Sequence, residues 1–203
     1  MGEMLGKIAH QWRQPLSRLG FILMNIESKD KEQKHSKKLE EAFTQLEFMS
    51  QTIDDFRNFY KPNKEKESFS LEKETRYVLD LLHLKEIEVI LTVKDDIPIV
   101  NYKNEYRQVV LNLLSNAKDA LIERAVAMPK IMIGIEGTQV SISDNAGGIN
   151  LQEIEKIYEP YFTTKEKGLG IGLYIAKVIV EKNMAGSLKV INTVEGAKFI
   201  ITL

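Results

Sequence analysis

Cysteine is absent from the 203 residues. This excludes disulfides, thiolate nucleophiles and zinc–cysteine centres, and a reducing, cytoplasmic setting is the expectation. Long apolar runs are absent as well. None approaches the ~18–20 residues needed to span a bilayer, and the first residues lack the apolar core of a signal peptide, so no membrane contact is expected. Neither sign of charge dominates. The 28 Lys and Arg stand against 29 Asp and Glu, without the basic excess that bulk binding to nucleic acid requires. Proline is scarce, at five residues, so a proline inside an apolar helical pattern asks for a reason. The rest is ordinary for a soluble globular chain, 43% hydrophobic and 28% charged. The length suits one large domain or two small ones, each with its own core.

Apolar side chains at Leu5, Ile8, Trp12, Leu16, Leu19, Leu23 and Ile26 advance in steps of three or four, the stripe of an amphipathic helix. A second stripe follows at Leu39, Phe43, Leu46, Met49, Ile53, Phe56 and Tyr60. Between them Lys29, Asp30, Lys31 and Glu32 stand in succession, which reads as a solvated turn. Residues 1–60 are thus expected to form a helical hairpin. A lone hairpin has too little core to stand, so two copies pairing into a four-helix bundle, a homodimer, complete it. Residues 61–68, with Pro62 amid dense charge, read as a linker.

From 69 to 203 the texture is mixed. Helices are expected at 71–84, 104–126 and 172–182, and strands at 88–93, 131–135 and 140–142. A terminal hairpin joins 187–192 to 198–203 across Glu195-Gly196. The expected class is α+β: the hairpin, then an α/β sandwich of one sheet covered by helices.

Four strings in this second part carry chemistry. They are Asn112-Leu113-Leu114-Ser115-Asn116, Asp144-Asn145-Ala146-Gly147-Gly148, Glu159-Pro160-Tyr161-Phe162-Thr163-Thr164-Lys165 and Gly168-Leu169-Gly170-Ile171-Gly172. Asn112 and Asn116, four apart, project from one helix face and offer two amide oxygens of the kind Mg²⁺ accepts. Gly168 to Gly172 open the helix expected to begin at Leu173, where bare amides favour phosphate. A dinucleotide fingerprint would need a strand just before the glycines, and Thr163 to Lys167 is polar loop.

In this order the four strings resemble the N, G1, F and G2 boxes of the histidine kinase ATP-binding domain. A fifth, Ala9-His10-Gln11-Trp12-Arg13-Gln14-Pro15-Leu16, resembles that family's phosphoacceptor histidine box. The resemblance covers nearly the whole chain and implies the catalytic core of a two-component sensor kinase, cut from a longer sensor. It implies ATP and Mg²⁺ as cofactors, phosphoryl transfer to His10, and a response regulator receiver domain as partner. It assigns Mg²⁺ to Asn116, with Asn112 as companion, and adenine recognition to Asp144. The remaining ATP-binding positions it implies are Gly148, Phe162, Lys165, Gly168, Leu169, Gly170, Ile171, Gly172 and Leu173. The family more often has glycine where Ala146 stands, so the loop is expected to tolerate one methyl group.

His10 falls five places after Leu5 in a heptad marked by Leu5, Trp12, Leu19 and Ile26, which turns it outward. Pro15, in mid-helix, removes the backbone bond to Gln11 and bends the helix beside His10. Imidazole, with a reference pKa of about 6.5, is largely neutral and nucleophilic near pH 7. Many relatives place an acid directly after the histidine. Here Gln11 stands there, able to orient the ring but not to take its proton. Gln14, four after His10, is where the family often positions water for dephosphorylating its partner, so phosphatase activity is a further implication. His35 and His83 have no comparable setting.

Two other readings compete. Water-hydrolysing ATPases of the same fold, such as those of type II topoisomerases, mismatch-repair proteins and the large heat-shock chaperone, carry a glutamate base four residues before the metal-binding asparagine. This chain has Asn112 there, and an amide cannot take a proton from water. A scaffold without catalysis would not be expected to keep all four boxes intact.

Overall fold

The computed structural model describes residues 16–26, 28, 35, 36, 38, 39, 42, 43, 46, 65–82, 84, 86–165 and 170–203. The chain divides into two units, Met1–Lys64 and Glu65–Leu203.

Every second residue of the central strands is a large aliphatic, and this builds the second unit. Its elements in chain order are β1 (Glu67–Phe69), α1 (Leu71–Leu82), β2 (Glu88–Asp96), β3 (Ile99–Asn101), α2 (Lys103–Glu123), β4 (Lys130–Gly137) and β5 (Gln139–Asp144). A short 3₁₀ turn (Lys156–Tyr158), α3 (Gly172–Val178), β6 (Ser187–Asn192) and β7 (Ala197–Thr202) follow. Ile131, Ile133 and Ile135 of β4, Val140 and Ile142 of β5, and Phe199 and Ile201 of β7 are buried, while residues between them face outward, as a half-covered sheet requires. The sheet has the order β2-β4-β5-β7-β6. Only β2 and β4 run parallel; the other neighbours are antiparallel. The parallel pair requires a crossover, and the chain between β2 and β4 supplies it through β3 and α2.

α2 covers the inner face. Tyr106, Val109, Val110, Leu113, Leu114, Ala117 and Leu121 are all buried, on the repeat of a helix packed along one side. Removing a fully buried leucine from such a layer costs about 2–5 kcal/mol. α1 is fastened to α2 through the buried Tyr106 hydroxyl, 2.7 Å from Thr75 Oγ1, and through Arg107, which pairs with Glu74. The mixed α+β sheet matches the sandwich expected from the sequence.

Several bounds shift by a few residues, α1 ending at Leu82 and β2 running on to Asp96, and other details differ from expectation. Glu67 and Ser68, placed in the linker by their charge and polarity, lie in β1, which pairs antiparallel with β3; at three residues each these strands are too short to show a period. The helix expected over 172–182 changes to a π-turn at Ile179–Asn183, closed by Met184 N–H on the Ile179 carbonyl at 2.9 Å. There Asn183 donates to Glu105 Oε1 and Asn101 to the Met184 carbonyl. The long helix α2 ends at Glu123 rather than 126.

In the first unit, residues 16–26 are helical. Leu16 and Leu23 are half-buried, whereas Leu19, Phe21, Ile22, Met24 and Ile26 are exposed. Leu39 and Leu46 are buried. No helix among the described residues is long and apolar enough to cross a membrane.

Candidate nucleotide site

The site is assembled at the end of β5. Asp144 is the last residue of that strand and is 5% exposed. Its Oδ1 accepts from the Ala146 N–H at 2.9 Å and the Ala197 N–H at 3.4 Å. Burial raises its pKa above the usual carboxylate value, while those two N–H groups and the Arg124 charge pull it back. A buried carboxylate held this way is a strong, directional acceptor.

Gly147 and Gly148 continue the chain with φ of 83° and 81°, a left-handed pair that favours glycine. Ala146, at the position where a methyl group was expected to be tolerated, is buried and not among the positive-φ residues. Asn145 points away from the loop, accepting from Lys130 N–H and donating to the Met128 carbonyl, both at 2.8 Å.

Side chains remote in sequence fix the loop. Arg124, just past α2, donates to the carbonyls of Ala146 and of Gly148, the latter at 2.8 Å. Asn192, at the end of β6, accepts from Ile149 N–H at 2.8 Å and donates to the Ile149 carbonyl. Gly196 lies so close that a methyl group there would sit 2.1 Å from the Asp144 carbonyl oxygen. Arg124, Asn192 and Gly196 were not singled out from the sequence. The tight turn Glu195-Gly196 was the one available signal, and it reads as hairpin punctuation.

α2 contributes the other wall. Asn112 and Asn116 lie one turn apart, both half-buried. Asn112 Nδ2 donates to the Gly172 carbonyl at 3.2 Å, which ties α2 to the first residue of α3. Asn116 Oδ1 accepts from Lys165 Nζ at 3.1 Å, and the same ammonium pairs with Asp119 at 2.7 Å. Asn116 therefore already receives a cation in this state. Phe162 is half-buried, and Tyr161 N–H donates to the Gly170 carbonyl at 3.0 Å. Gly170 has φ 65°, and a side chain there would strike the Phe162 carbonyl. Ile171 precedes α3 without a side-chain cap; Ile171, Gly172 and Leu173 are half-buried.

The structure thus gathers Asn112, Asn116 and Lys165 along α2, links Asn112 to Gly172, and places Asp144 and Gly148 in one clamped loop. His10, Gln11, Gln14, Gly168 and Leu169 lie outside the described residues, as does His83; His35 is exposed.

Residues 101–203 match the family described as histidine kinase-, DNA gyrase B-, and HSP90-like ATPase, a span that begins at the end of β3 and takes in every residue of the site just described. The chain belongs to this family. Among curated proteins it is 30% identical to the two-component sensor PprA of Pseudomonas aeruginosa, covering 100% of this chain and 24% of that protein. It is 27% identical to sporulation kinase E of Bacillus subtilis, covering 100% and 28%. The chain thus spans less than a third of these two relatives. Among solved structures, the catalytic domain of histidine kinase ThkA is 29% identical with a TM-score of 0.57, covering 68% of this chain and 93% of that one. Full-length ShkA, solved with AMPPNP, shares the fold with a TM-score of 0.74 at 21% identity, over 99% of this chain and 45% of that one.

Proposed function

We propose that the chain is the catalytic core of a sensor histidine kinase, binding ATP with Mg²⁺ and transferring the γ-phosphoryl group to His10. From His10 the group passes to an aspartate of a response regulator receiver domain. Residues 1–60 are the histidine-bearing hairpin, paired with a second copy in a four-helix bundle; the linker from residue 61 ends before β1, and the ATP-binding domain runs from Glu67 to Leu203. Gln14 gives the same core a group able to align water for phosphatase action on the regulator.

Within the site, Asp144 accepts from the adenine amino group. Phe162 anchors the segment that follows it, and the backbone of Ile171, Gly172 and Leu173 faces the phosphates, with Gly168, Leu169 and Gly170 assigned to ATP binding by the resemblance. Asn116 and Asn112 fit Mg²⁺ by donor type, since both offer neutral amide oxygens, and Asn116 Oδ1 already accepts the Lys165 ammonium. When bound, the metal neutralises phosphate charge. Lys165 adds a positive charge beside Asn116. Gln11 orients the His10 ring through its amide oxygen while the ring proton leaves elsewhere.

The family includes both phosphotransfer and hydrolysis, and one residue carries the choice between them. Asn112 occupies the place where a hydrolytic relative keeps its base, and its amide nitrogen is engaged by the Gly172 carbonyl. No carboxylate stands there to take a proton from water. The test is the fate of a γ-labelled phosphoryl group in a single turnover with Mg²⁺. Label on the protein well ahead of free phosphate is expected. Rapid free phosphate with unlabelled protein would establish the hydrolytic reading instead.

A further inference from the structure

Two consecutive left-handed glycines make a loop that holds no shape by itself, because glycine loses the most backbone freedom on ordering. Yet the loop 144–150 must present Asp144 to a base with ångström accuracy. Something outside it has to supply rigidity.

We propose that Arg124 is a positioning residue for the adenine site, setting discrimination between ATP and other nucleoside triphosphates without touching the nucleotide. The proposal rests on the ATP-binding reading above.

Arg124 follows the last turn of α2, with its own N–H bonded to the Ala120 carbonyl and the next N–H, that of Ala125, to the Ile122 carbonyl, so its backbone is anchored to the element that carries Asn112 and Asn116. One guanidinium nitrogen reaches the carbonyls of both Ala146 and Gly148, the residues on either side of Gly147. It stands 3.4 Å from where a Gly147 Cβ would be, so the loop lies directly on it. A charged donor shared by two carbonyls is stronger than a neutral contact, and the planar guanidinium holds its direction where an ammonium would swivel. The positive charge also favours the ionised form of Asp144. Arg124 thus fixes both the position and the charge of the group that reads the base. Adenine offers an amino donor to that carboxylate; guanine presents a carbonyl at the same edge and gains nothing from its alignment.

The measurement is the affinity of the whole 203-residue chain for ATP and for GTP by titration calorimetry, in wild type, Arg124→Met and Arg124→Lys, with thermal melts alongside. Arg124→Met should weaken ATP by about tenfold, the worth of one charge-assisted hydrogen bond, and leave GTP within about twofold on the same scale. Arg124→Lys keeps the charge but not the planar, fixed direction of the donor, and its ATP-to-GTP ratio should fall between the other two. If Arg124→Met fails to fold, the lysine variant decides alone: a lowered ratio supports the proposal and a wild-type ratio overturns it. Equal loss of both nucleotides in a folded variant also overturns it, because a merely structural role would not distinguish the bases. A wild type that binds neither nucleotide would sink the ATP reading and this one with it, whereas wild-type selectivity with an unchanged methionine variant would sink this one alone.

Discussion

Asp144 combines two demands that pull against each other. As a buried carboxyl its pKa lies above the usual value, so the folded state binds a proton more tightly than the unfolded chain. Its contribution to stability is therefore greatest at low pH and declines as pH rises from about 4 through the raised folded pKa. Near neutrality the ionised group is a cost to folding, and under the proposed function it is the form that accepts from the base. Asp144→Asn keeps an oxygen for the Ala146 and Ala197 N–H groups and removes the charge. It should melt at or above wild type at pH 7.5 while binding ATP roughly ten- to a hundredfold more weakly, the value of a hydrogen bond to a charged group. Melts at pH 5 and 7.5 with parallel calorimetry check this; a variant that melts well below wild type yet keeps its ATP affinity would contradict both halves. Asp144, the glycines and the paired asparagines are legible in the sequence because their residue types carry their own chemistry. Arg124, Asn192 and Gly196 are not, because they act on backbone atoms brought near only by the fold.

At the scale of elements, α2 carries the core on one face and, through Asn112, Asn116 and Asp119, contacts to Gly172 and Lys165. Lys165 bridges Asn116 and Asp119 and restrains the segment that follows Phe162. That restraint is modest, since Asp119 is half open to solvent with a side-chain exposure of 53%, and such pairs contribute about 0–1 kcal/mol. Lys165→Met should accordingly raise amide hydrogen exchange at Tyr161 to Lys165 by no more than about fivefold, and added salt should have the same effect on wild type. Unchanged exchange would mean that the bridge does not restrain this segment; a far larger rise would mean that it does more than a surface pair. The longer elements declare themselves through period: the isoleucines of β4, the apolar face of α2, the terminal hairpin. β1 and β3 do not, at three residues each, and the π-turn after α3 depends on Asn183, Asn101 and Glu105 meeting across the fold.

For the whole molecule, Leu19, Ile22 and Ile26 share one face of the helical residues 16–26 and are exposed, an apolar stripe that calls for a partner. A second copy meeting them two-fold is expected, so light scattering should give twice the 23.2 kDa chain mass at micromolar concentration. Leu19→Lys with Ile26→Lys should shift the protein toward monomer, and a wild type that is a stable monomer would contradict the bundle. The central claim is that the nucleotide site serves His10, and it is tested most directly by chemical stability of the label after incubation with γ-labelled ATP and Mg²⁺. A phosphorylated imidazole is lost in acid and survives alkali, so wild type should give an acid-labile, alkali-stable label that is absent from His10→Gln. A label of the same intensity in His10→Gln, or one that survives acid, would contradict the account.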